Sequence, residues 1–335
     1  MLRLCLFAKR YSKLMKRTLN IFPFFILCTA FGQNLVYNGN LEEYSSCPNY
    51  VTLPNQSPQE IEKCIGWKAP TGGTSDYYNS CSTNYYASVP TNSQGIQVPS
   101  SGDGYLGAFF YNYSPTTGMW WEYIQGKFVT TLTSGNVYSL KLKISLADNS
   151  TKAIDEVGIL FTGTNNNYSG TEVLPYEPQC RIKSISYYDD KSNWIELDTI
   201  FVANGTENFL MIGNFNSNST TNILNLDNSN NNHAYYYIDD IEVVDVSENY
   251  SFPNVFTPNN DQVNEVWEVP FSLENFDIYI LNRWGNIVTV LDKDNKKWNG
   301  TTTSGVECIA GVYFFSLIEK STKKKIKSGF IQLVR

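Results

Sequence analysis

The stretch VYSLKLKISLAD, from Val137 to Asp148, alternates apolar and polar residues along most of its length. Alternation with a period of two is typical of a β-strand that has one face in a core and the other in water. Several such segments separated by turns rich in Gly, Asn and Ser predict a β-sandwich, and no segment predicts a long helix. The further segments are YLGAFFYNY at 105–113, WWEYIQGKFVTTL at 120–132, VGILFTG at 157–163, NWIELDTIFVA at 193–203, ENFLMIGNF at 207–215 and YYYIDDIEVVDV at 235–246.

A second, smaller series of alternating segments follows residue 252. Residues 247–252 show little pattern, so they mark a boundary between two predicted domains, 33–246 and 247–335. The second domain has about the length of an immunoglobulin-like sandwich. We therefore predict an all-β chain in which a larger sandwich precedes a smaller one. The segments of the second series are EVWEV at 265–269, FDIYILNRWG at 276–285, NIVTVL at 286–291, GVYFFSLIE at 311–319 and KSGFIQLVR at 327–335.

The first 32 residues predict a secretory signal peptide. Six basic residues precede an apolar run from Leu19 to Phe31, and the small residues Ala30 and Gly32 precede a predicted cleavage before Gln33. The apolar run is too short for a stable membrane anchor. We therefore expect a secreted or surface protein without a transmembrane anchor.

The charge of the mature chain argues against a nucleic-acid partner. The whole chain has 25 basic and 32 acidic residues, and residues 1–32 contain six of the basic ones and none of the acidic ones. The mature chain therefore carries 19 basic and 32 acidic residues, a net charge of −13. Such a chain repels phosphate backbones.

Five cysteines follow the predicted cleavage site, in a compartment where disulfides form. Cys47 and Cys81 flank a loop-rich region, and we predict a disulfide between them. Cys64 with Cys180 is a second candidate pair, and we expect Cys308 to stay alone in the second domain. The alternative for each is a buried thiol.

Residues 252–335 resemble the gliding motility-associated C-terminal domain, also described as the type B sorting domain of the type IX secretion system. The resemblance implies export across both membranes, with the type IX secretion machinery as partner and the outer cell surface or the medium as destination. Where the family usually has Asn-Gly-Asp-Gly-x-Asn-Asp, this chain has residues 259–265 without either glycine. The matching motifs are FPNVFTPNNDQVNEVWEV at 252–269, FDIYILNRWGNIV at 276–288, WNGT at 298–301, GVYFFSL at 311–317 and KSGFIQLVR at 327–335.

The loop at the start of this domain is a candidate calcium site. Asp261, Asn264 and Glu265 offer side-chain oxygens, and Ca²⁺ takes six to eight oxygen ligands. The alternative is an Asx-turn loop that leads into the first strand, with Pro258 setting its geometry.

The resemblance also implies that the export machinery recognises the end of this domain. We assign sorting to Lys325, Phe330, Leu333 and Arg335. Alternation in GFIQLVR predicts that Phe330 and Val334 point to one face and Leu333 and Arg335 to the other. The lysines around Lys325 form either a basic patch or a solvated hairpin turn.

The first domain resembles carbohydrate-binding-module-like jelly rolls of the galactose-binding-like type. NLVYNGNLEEY at 34–44 is similar to their opening strand, and YYYIDDIEVVDV at 235–246 to their closing strand. In that family these strands often share a structural Ca²⁺, which implies Glu42 with Asp239 or Asp240 as ligands. The alternative is that the two aspartates only end a strand in water.

Sugar binding requires exposed aromatic faces next to polar groups. Of Trp120 and Trp121, only one can face solvent if their segment is a strand. The candidate ligand-binding residues, for an environmental or surface polysaccharide, are Trp67, Tyr77, Tyr78, Tyr111, Trp120, Trp121 and Glu122.

We do not expect an enzyme. His233 is the only histidine, and the nucleophile-elbow, phosphate-loop and zinc-protease motifs are absent from the sequence. A glycosidase needs only two carboxylates, for which Asp148, Asp155 and Glu156 are candidates. The sequence thus predicts a glycan-binding or adhesion protein. An exported glycan-active hydrolase and a structural surface protein that binds other proteins are the alternatives.

Overall fold

A computed structural model describes the chain from Gly32 onwards, except for residues 55, 115–117, 228–231, 251, 270–272, 274–275, 321–322 and 324. The predicted signal peptide therefore lies outside the described residues, apart from Gly32. In the part of the chain that is described, no helix is long and apolar enough to cross a membrane. Among the described residues, the regular elements are strands apart from two short 3₁₀ helices at Glu60–Lys63 and Ser247–Tyr250, so this part of the chain is all-β as predicted.

The first strands of the larger domain lie in the region between Cys47 and Cys81, which was predicted to be rich in loops. The strands of this domain are β1 (Trp67–Lys68), β2 (Asp76–Asn79), β3 (Thr91–Asn92), β4 (Gly95–Ile96), β5 (Gly104–Ser114), β6 (Gly118–Met119), β7 (Tyr123–Lys127), β8 (Val137–Leu146), β9 (Lys152–Ile154), β10 (Glu156–Thr162), β11 (Cys180–Lys183), β12 (Ile195–Val202), β13 (Phe209–Gly213), β14 (Ile223–Asn225) and β15 (His233–Asp245).

Two antiparallel sheets form a jelly-roll sandwich. One has the strand order β1-β7-β13-β10-β11, and the other has the order β12-β8-β15-β5-β2 with β6 beside β5. Strand β8 shows why they pack together: Leu140, Leu142 and Ile144 are buried in the core between the sheets. Lys141 and Lys143, at the alternate positions, belong to the opposite face.

The opposite face of the second sheet carries a second, smaller core. Residues 84–99, which we call the covering loop, lie over it. Asn92 donates to the hydroxyl of Tyr105 (2.9 Å) and accepts from that of Tyr237 (2.8 Å). Tyr105 in turn donates to the Gln97 carbonyl (3.0 Å). The buried members of this second core are Tyr78, Tyr105, Ala147, Tyr235 and Tyr237.

The smaller domain is a sandwich of a five-stranded and a two-stranded sheet. The strand orders are β16-β22-β21-β18-β19 and β17-β20, and β16 runs parallel to β22. Its core is separate from that of the larger domain, although Ile200 and Val202 of β12 pack against it. The strands are β16 (Val255–Phe256), β17 (Trp267–Glu268), β18 (Phe276–Leu281), β19 (Ile287–Leu291), β20 (Lys297–Trp298), β21 (Gly311–Glu319) and β22 (Lys325–Leu333).

The disulfide between Cys47 and Cys81 is present, as predicted. The candidate bond between Cys64 and Cys180 is not. Cys64 is buried beside Asn38 (Nδ2 to Sγ, 3.4 Å), whereas Cys180 lies on β11 opposite Ile159, so the two side chains belong to different parts of the domain. Cys308 is a buried thiol of the smaller domain.

Candidate functional site

Most of the aromatic residues predicted to bind sugar are core residues. Each of five is at most 4% exposed, so no sugar can stack on its ring. Tyr77, Tyr78 and Tyr111 lie in the second sheet, both faces of which are covered, one by the other sheet and one by the covering loop. The five residues are Trp67, Tyr77, Tyr78, Tyr111 and Trp121.

Trp120 and Glu122 are joined to each other rather than offered to a ligand. Trp121 is buried and Trp120 is half-buried, and both lie between β6 and β7 rather than in a strand. The indole of Trp120 donates to Oε1 of Glu122 (2.9 Å). Glu122 is fully buried and also accepts the backbone N–H groups of Thr74 (2.7 Å) and Phe109 (2.9 Å). Glu122 therefore fixes the backbone at Thr74 and Phe109. This corrects the prediction that its carboxylate binds a ligand.

An exposed tyrosine cluster lies elsewhere on the larger domain. It consists of Tyr50, Tyr85 and Tyr86. The ring centroids of Tyr50 and Tyr86 are 4.3 Å apart, and those of Tyr85 and Tyr86 are 5.8 Å apart. Tyr85 is 56% exposed and Tyr86 is 41% exposed. Three rings thus form a continuous aromatic surface, in which Tyr85 and Tyr86 are exposed and Tyr50 is half-buried.

The disulfide places this cluster. Cys47 lies three residues before Tyr50 and Cys81 lies four before Tyr85, so the bond between them brings the two loops together. The turn that carries Tyr85 and Tyr86 is fixed by its own side chains. Cys81 N–H donates to Oδ1 of Asn79 (2.9 Å), and Tyr86 N–H donates to Oδ1 of Asn84 (3.1 Å). The aromatic faces are therefore held before any ligand arrives, which lowers the entropic cost of binding.

The cluster has the chemistry of a small sugar site. Exposed ring faces attract the C–H groups of a pyranose, and nearby hydroxyls and amides suit its oxygens. Ser93 and Asn84 supply such groups next to the rings. Ser93 Oγ donates to the Tyr86 carbonyl (3.3 Å), and Asn84 Oδ1 accepts the Tyr86 N–H (3.1 Å). The sequence signal for this site was two adjacent tyrosines in a segment without strand alternation, where neither ring is needed by a core.

Glu42, an implied calcium ligand, holds the loop 100–104 instead. Its Oε1 accepts the backbone N–H groups of Asp103 (2.9 Å) and Gly104 (3.1 Å). Gly102 sits directly against this carboxylate: a Cβ there would lie 2.3 Å from it, and its φ of +60° suits glycine.

Asp239 and Asp240 hold the same loop from the other side. Oδ2 of Asp239 accepts the N–H groups of Ser100 (2.8 Å) and Ser101 (3.3 Å). Asp240 accepts the Ser100 hydroxyl (2.7 Å) and pairs with Lys143 Nζ (3.0 Å). We call Glu42, Asp239 and Asp240 the carboxylate clamp.

The clamp does not fit the calcium site that the resemblance implies. Its oxygens face N–H, hydroxyl and ammonium donors, whereas Ca²⁺ needs six to eight oxygen ligands whose lone pairs are available. Among the described residues, no group of three or more His, Cys, Asp or Glu side chains is placed to hold a metal ion.

The two aspartates of the clamp differ in their electrostatics. Burial, with the charge of Asp240 beside it, raises the pKa of Asp239 to about 7. Burial would also raise the pKa of Asp240, but hydrogen bonds from Ser101 and Ser100 and the charge of Lys143 lower it. A β-bulge separates Asp239 from Glu242 in the pairing with β8, and this irregularity turns the two carboxylates toward one loop.

The loop 258–265 satisfies its own oxygens. Asp261 accepts the Val263 N–H (2.8 Å), Glu265 accepts the Gln262 N–H (3.0 Å), and the Asn264 carbonyl accepts the Thr257 N–H (2.8 Å). This is the Asx-turn arrangement expected as the alternative, and Asp261, Asn264 and Glu265 do not converge as ligands.

The four residues assigned to sorting divide between two environments. Phe330 and Lys325 are exposed on the outer face of the five-stranded sheet. Leu333 is fully buried, so the machinery cannot contact it directly. Arg335 bonds the Gly300 carbonyl (3.1 Å) and pairs with Glu307 (3.4 Å). The predicted alternation along β22 is thus confirmed, while Leu333 is corrected to a core residue.

Residues 250–333 match the family model of the CHU_C type IX secretion signal domain. A signal of this kind implies export and a place on the cell surface or outside the cell. No curated protein matches the chain.

Three solved structures illustrate the likenesses of the larger domain. The CBM22-1 xylan-binding domain of Xyn10C from Paenibacillus barcinonensis is 13% identical, with 59% of this chain and 92% of that chain covered and a TM-score of 0.32. The K3 cleaved adhesin domain of Lys-gingipain from Porphyromonas gingivalis is 8% identical, with 54% and 92% covered and a TM-score of 0.29. The N-terminal cellulose-binding domain of β-1,4-glucanase C from Cellulomonas fimi is 14% identical, with 60% and 97% covered and a TM-score of 0.27. With TM-scores below 0.5, these likenesses carry no argument about a ligand.

Proposed function

We propose that this chain is a non-catalytic binding protein that the type IX system exports. In this proposal the larger domain binds a glycan through the tyrosine cluster, and the smaller domain is the sorting signal. The observation that carries the glycan proposal is the pair of exposed rings, Tyr85 and Tyr86, fixed by a disulfide-tied loop. Exposed apolar groups that lie side by side mark an interaction site more often than exposed residues scattered singly.

The carboxylates suggested for a hydrolase support the non-catalytic part of the proposal. Glu156 pairs with Arg181, Asp155 accepts from Asn222 (3.0 Å), and Asp148 accepts the Ile96 N–H (2.8 Å). Each of the three therefore has a structural partner. Burial also lowers the pKa of His233, which packs edge-on against Phe109.

Two further carboxylates lie close enough to interact but have no access to substrate. Burial and the charge of Glu122 raise the pKa of Asp76 well above its usual range. Asp76 is 4% exposed and accepts the Tyr235 hydroxyl (2.6 Å). A glycosidic bond must reach both carboxylates of a glycosidase, so this buried pair favours a structural role.

The test is a glycan array with the mature chain, followed by titration of any glycan that binds. We expect Tyr85→Ala with Tyr86→Ala to weaken binding about tenfold or more, because each lost stacking contact is worth about 0.5–1.5 kcal/mol. Tyr176→Ala is the matched control, since Tyr176 is a similarly exposed tyrosine outside the cluster. Unchanged affinity in the double variant, or no glycan bound by the parent chain, would contradict the proposal. Release of reducing sugar from a bound glycan would favour the hydrolase.

A further inference from the structure

The outer face of the five-stranded sheet carries an unbroken apolar row. In the ladder, Ile287 of β19 lies opposite Leu281 of β18, Leu281 lies opposite Phe314 of β21, and Phe314 lies opposite Phe330 of β22. Side chains of directly opposed residues lie on one face and touch their neighbours. These four residues therefore form one line across four strands, which we call the apolar row.

The row is open to solvent. Ile287 is 59% exposed, Phe330 is 52% exposed and Phe314 is 43% exposed. Trp284, in the turn that joins β18 to β19 at the end of the row, is 74% exposed. An antiparallel sheet with one buried face normally has polar residues on the other. Here the alternate residues already supply the core, so folding does not require the row to be apolar.

A cation stands at each end of this face. The guanidinium of Arg283 lies 5.1 Å from the centroid of the Trp284 ring. Lys325 lies opposite Ile318 in the ladder and therefore shares the outer face. Neither cation forms an ion pair with a described residue. Three other cations of the same domain do, with Asp277, Glu268 and Glu307 as their partners.

We propose that the apolar row, together with Arg283 and Lys325 on the same face, is the surface by which the type IX export machinery binds this signal domain. The inference rests on the proposed export function and adds the contact surface and the partner's chemistry. The partner surface is apolar at its centre and acidic at its edges. The four residues of the row, the two cations and Trp284 all lie inside the segment that matches the secretion signal model.

Charge favours this partner over a second copy of the chain. A symmetric dimer through the row would use the same patch on both copies. Each copy would bring its two unpaired cations to the contact. Asp277, the acidic residue on the same rung as Lys325, already pairs with Lys320 (3.6 Å) and does not offset them. Like charges in an interface are costly, whereas acidic groups on a different partner would be complementary.

The test is export of the full chain by a bacterium that secretes it, measured as the fractions in the periplasm and outside the cell. We expect Phe314→Ser with Phe330→Ser to leave less than one tenth of the protein outside. Val306→Ser is the matched control, because Val306 is an exposed valine of the same domain that lies outside the row. It should be exported like the parent. Thermal melts of the purified variants show whether the domain stays folded.

A second variant guards against misfolding. Arg283→Glu with Lys325→Glu alters only exposed side chains and should reduce export at least severalfold.

Deletion of residues 250–335 distinguishes a failure of the export function from a failure of the row. If the deletion is exported normally, the export function itself fails. If the deletion stays in the periplasm while both row variants are exported, only the row is overturned. A parent chain that dimerises, and row variants that do not, would also overturn it in favour of self-association.

Discussion

At the scale of single residues, buried and half-buried carboxylates organise the larger domain by accepting hydrogen bonds from backbone N–H groups and side chains. Glu122 holds the segment around Thr74 and Phe109, and the carboxylate clamp holds the loop 100–104. A buried charge without partners is very costly, so each such carboxylate must be satisfied by donors in the fold. Removing one therefore leaves several donors unpaired at once, and such a loss costs more than that of one surface hydrogen bond.

Asp239 gives the stability of the chain a dependence on pH. Its pKa is about 7 in the folded chain, against about 3.9 for an aspartate in an unfolded chain. Folding thus favours the protonated form. The resulting stabilisation is complete below about pH 4 and is lost as the pH rises through about 7. We expect the free energy of unfolding to fall by up to about 4 kcal/mol over this interval. Urea titrations of the mature chain at several pH values measure it.

Asp239→Asn is the control for this prediction, because it keeps an oxygen acceptor but removes the titration. The variant should show a flatter dependence between pH 4 and 7 than the parent. Equal slopes for the two proteins would show that the titration of Asp239 does not cause the pH dependence.

Residue roles were only partly predictable from the sequence. The pairing of Cys47 with Cys81 followed from their positions around one loop region. The burial of Tyr78 did not, because it depends on the covering loop, which contacts the sheet only in the folded chain. The clamp was also hidden, since it joins residues 42, 100–104 and 239–240, which no local pattern links.

At the scale of elements, strands with strict alternation were predictable and short strands were not. Alternation placed β8 and β22 and gave the inward and outward residues of each. Strands β1 to β4 were not predicted because each contains only two to four paired residues. Their positions are set by contacts with β5, β7 and the covering loop rather than by their own pattern. The region between Cys47 and Cys81 was therefore predicted to be rich in loops, although it contains β1 and β2.

The disulfide should act on both stability and binding. Its two cysteines are 34 residues apart, and a loop of this length corresponds to about 3–4 kcal/mol of stabilisation in the chain-entropy model. We expect Cys47→Ala with Cys81→Ala to lower the melting temperature and to weaken any glycan that binds the tyrosine cluster, because Tyr50 is no longer held against Tyr86. Calorimetry and titration of the variant measure the two effects.

A matched control for this prediction is Cys308→Ala, which removes a thiol from the other domain. It should leave glycan affinity unchanged. If the disulfide variant binds as tightly as the parent, the covering loop and the Asx turns alone hold the cluster.

At the scale of the whole molecule, two cores are built along one chain, and their charges differ. Residues 33–249 contain 9 basic and 23 acidic residues, whereas residues 250–335 contain 10 and 9. Nearly all of the negative charge therefore belongs to the larger domain. The signal domain is close to neutral, and this suits a surface that combines apolar residues with cations.

The melting temperature of the mature chain should not depend on calcium. The carboxylates of the clamp and those of the loop 258–265 have protein donors as partners, so calcium has no set of free oxygens to bind. We expect melts with about 2 mM EDTA and with excess calcium to give melting temperatures within about 1 °C of each other. A ligand that does not bind the folded state adds no stability. A rise of several degrees with calcium would restore the metal site implied by the resemblance.

The pairing of β22 with β16 has a consequence for when the signal domain can fold. The parallel pairing of Val255 with Gln332 joins the two ends of the signal domain, and contacts between residues so far apart in sequence form late. Domains fold during synthesis from the N-terminal side. The larger domain is therefore synthesised before the two ends of the signal domain can pair, so the signal domain can be complete only after all of its cargo has been made.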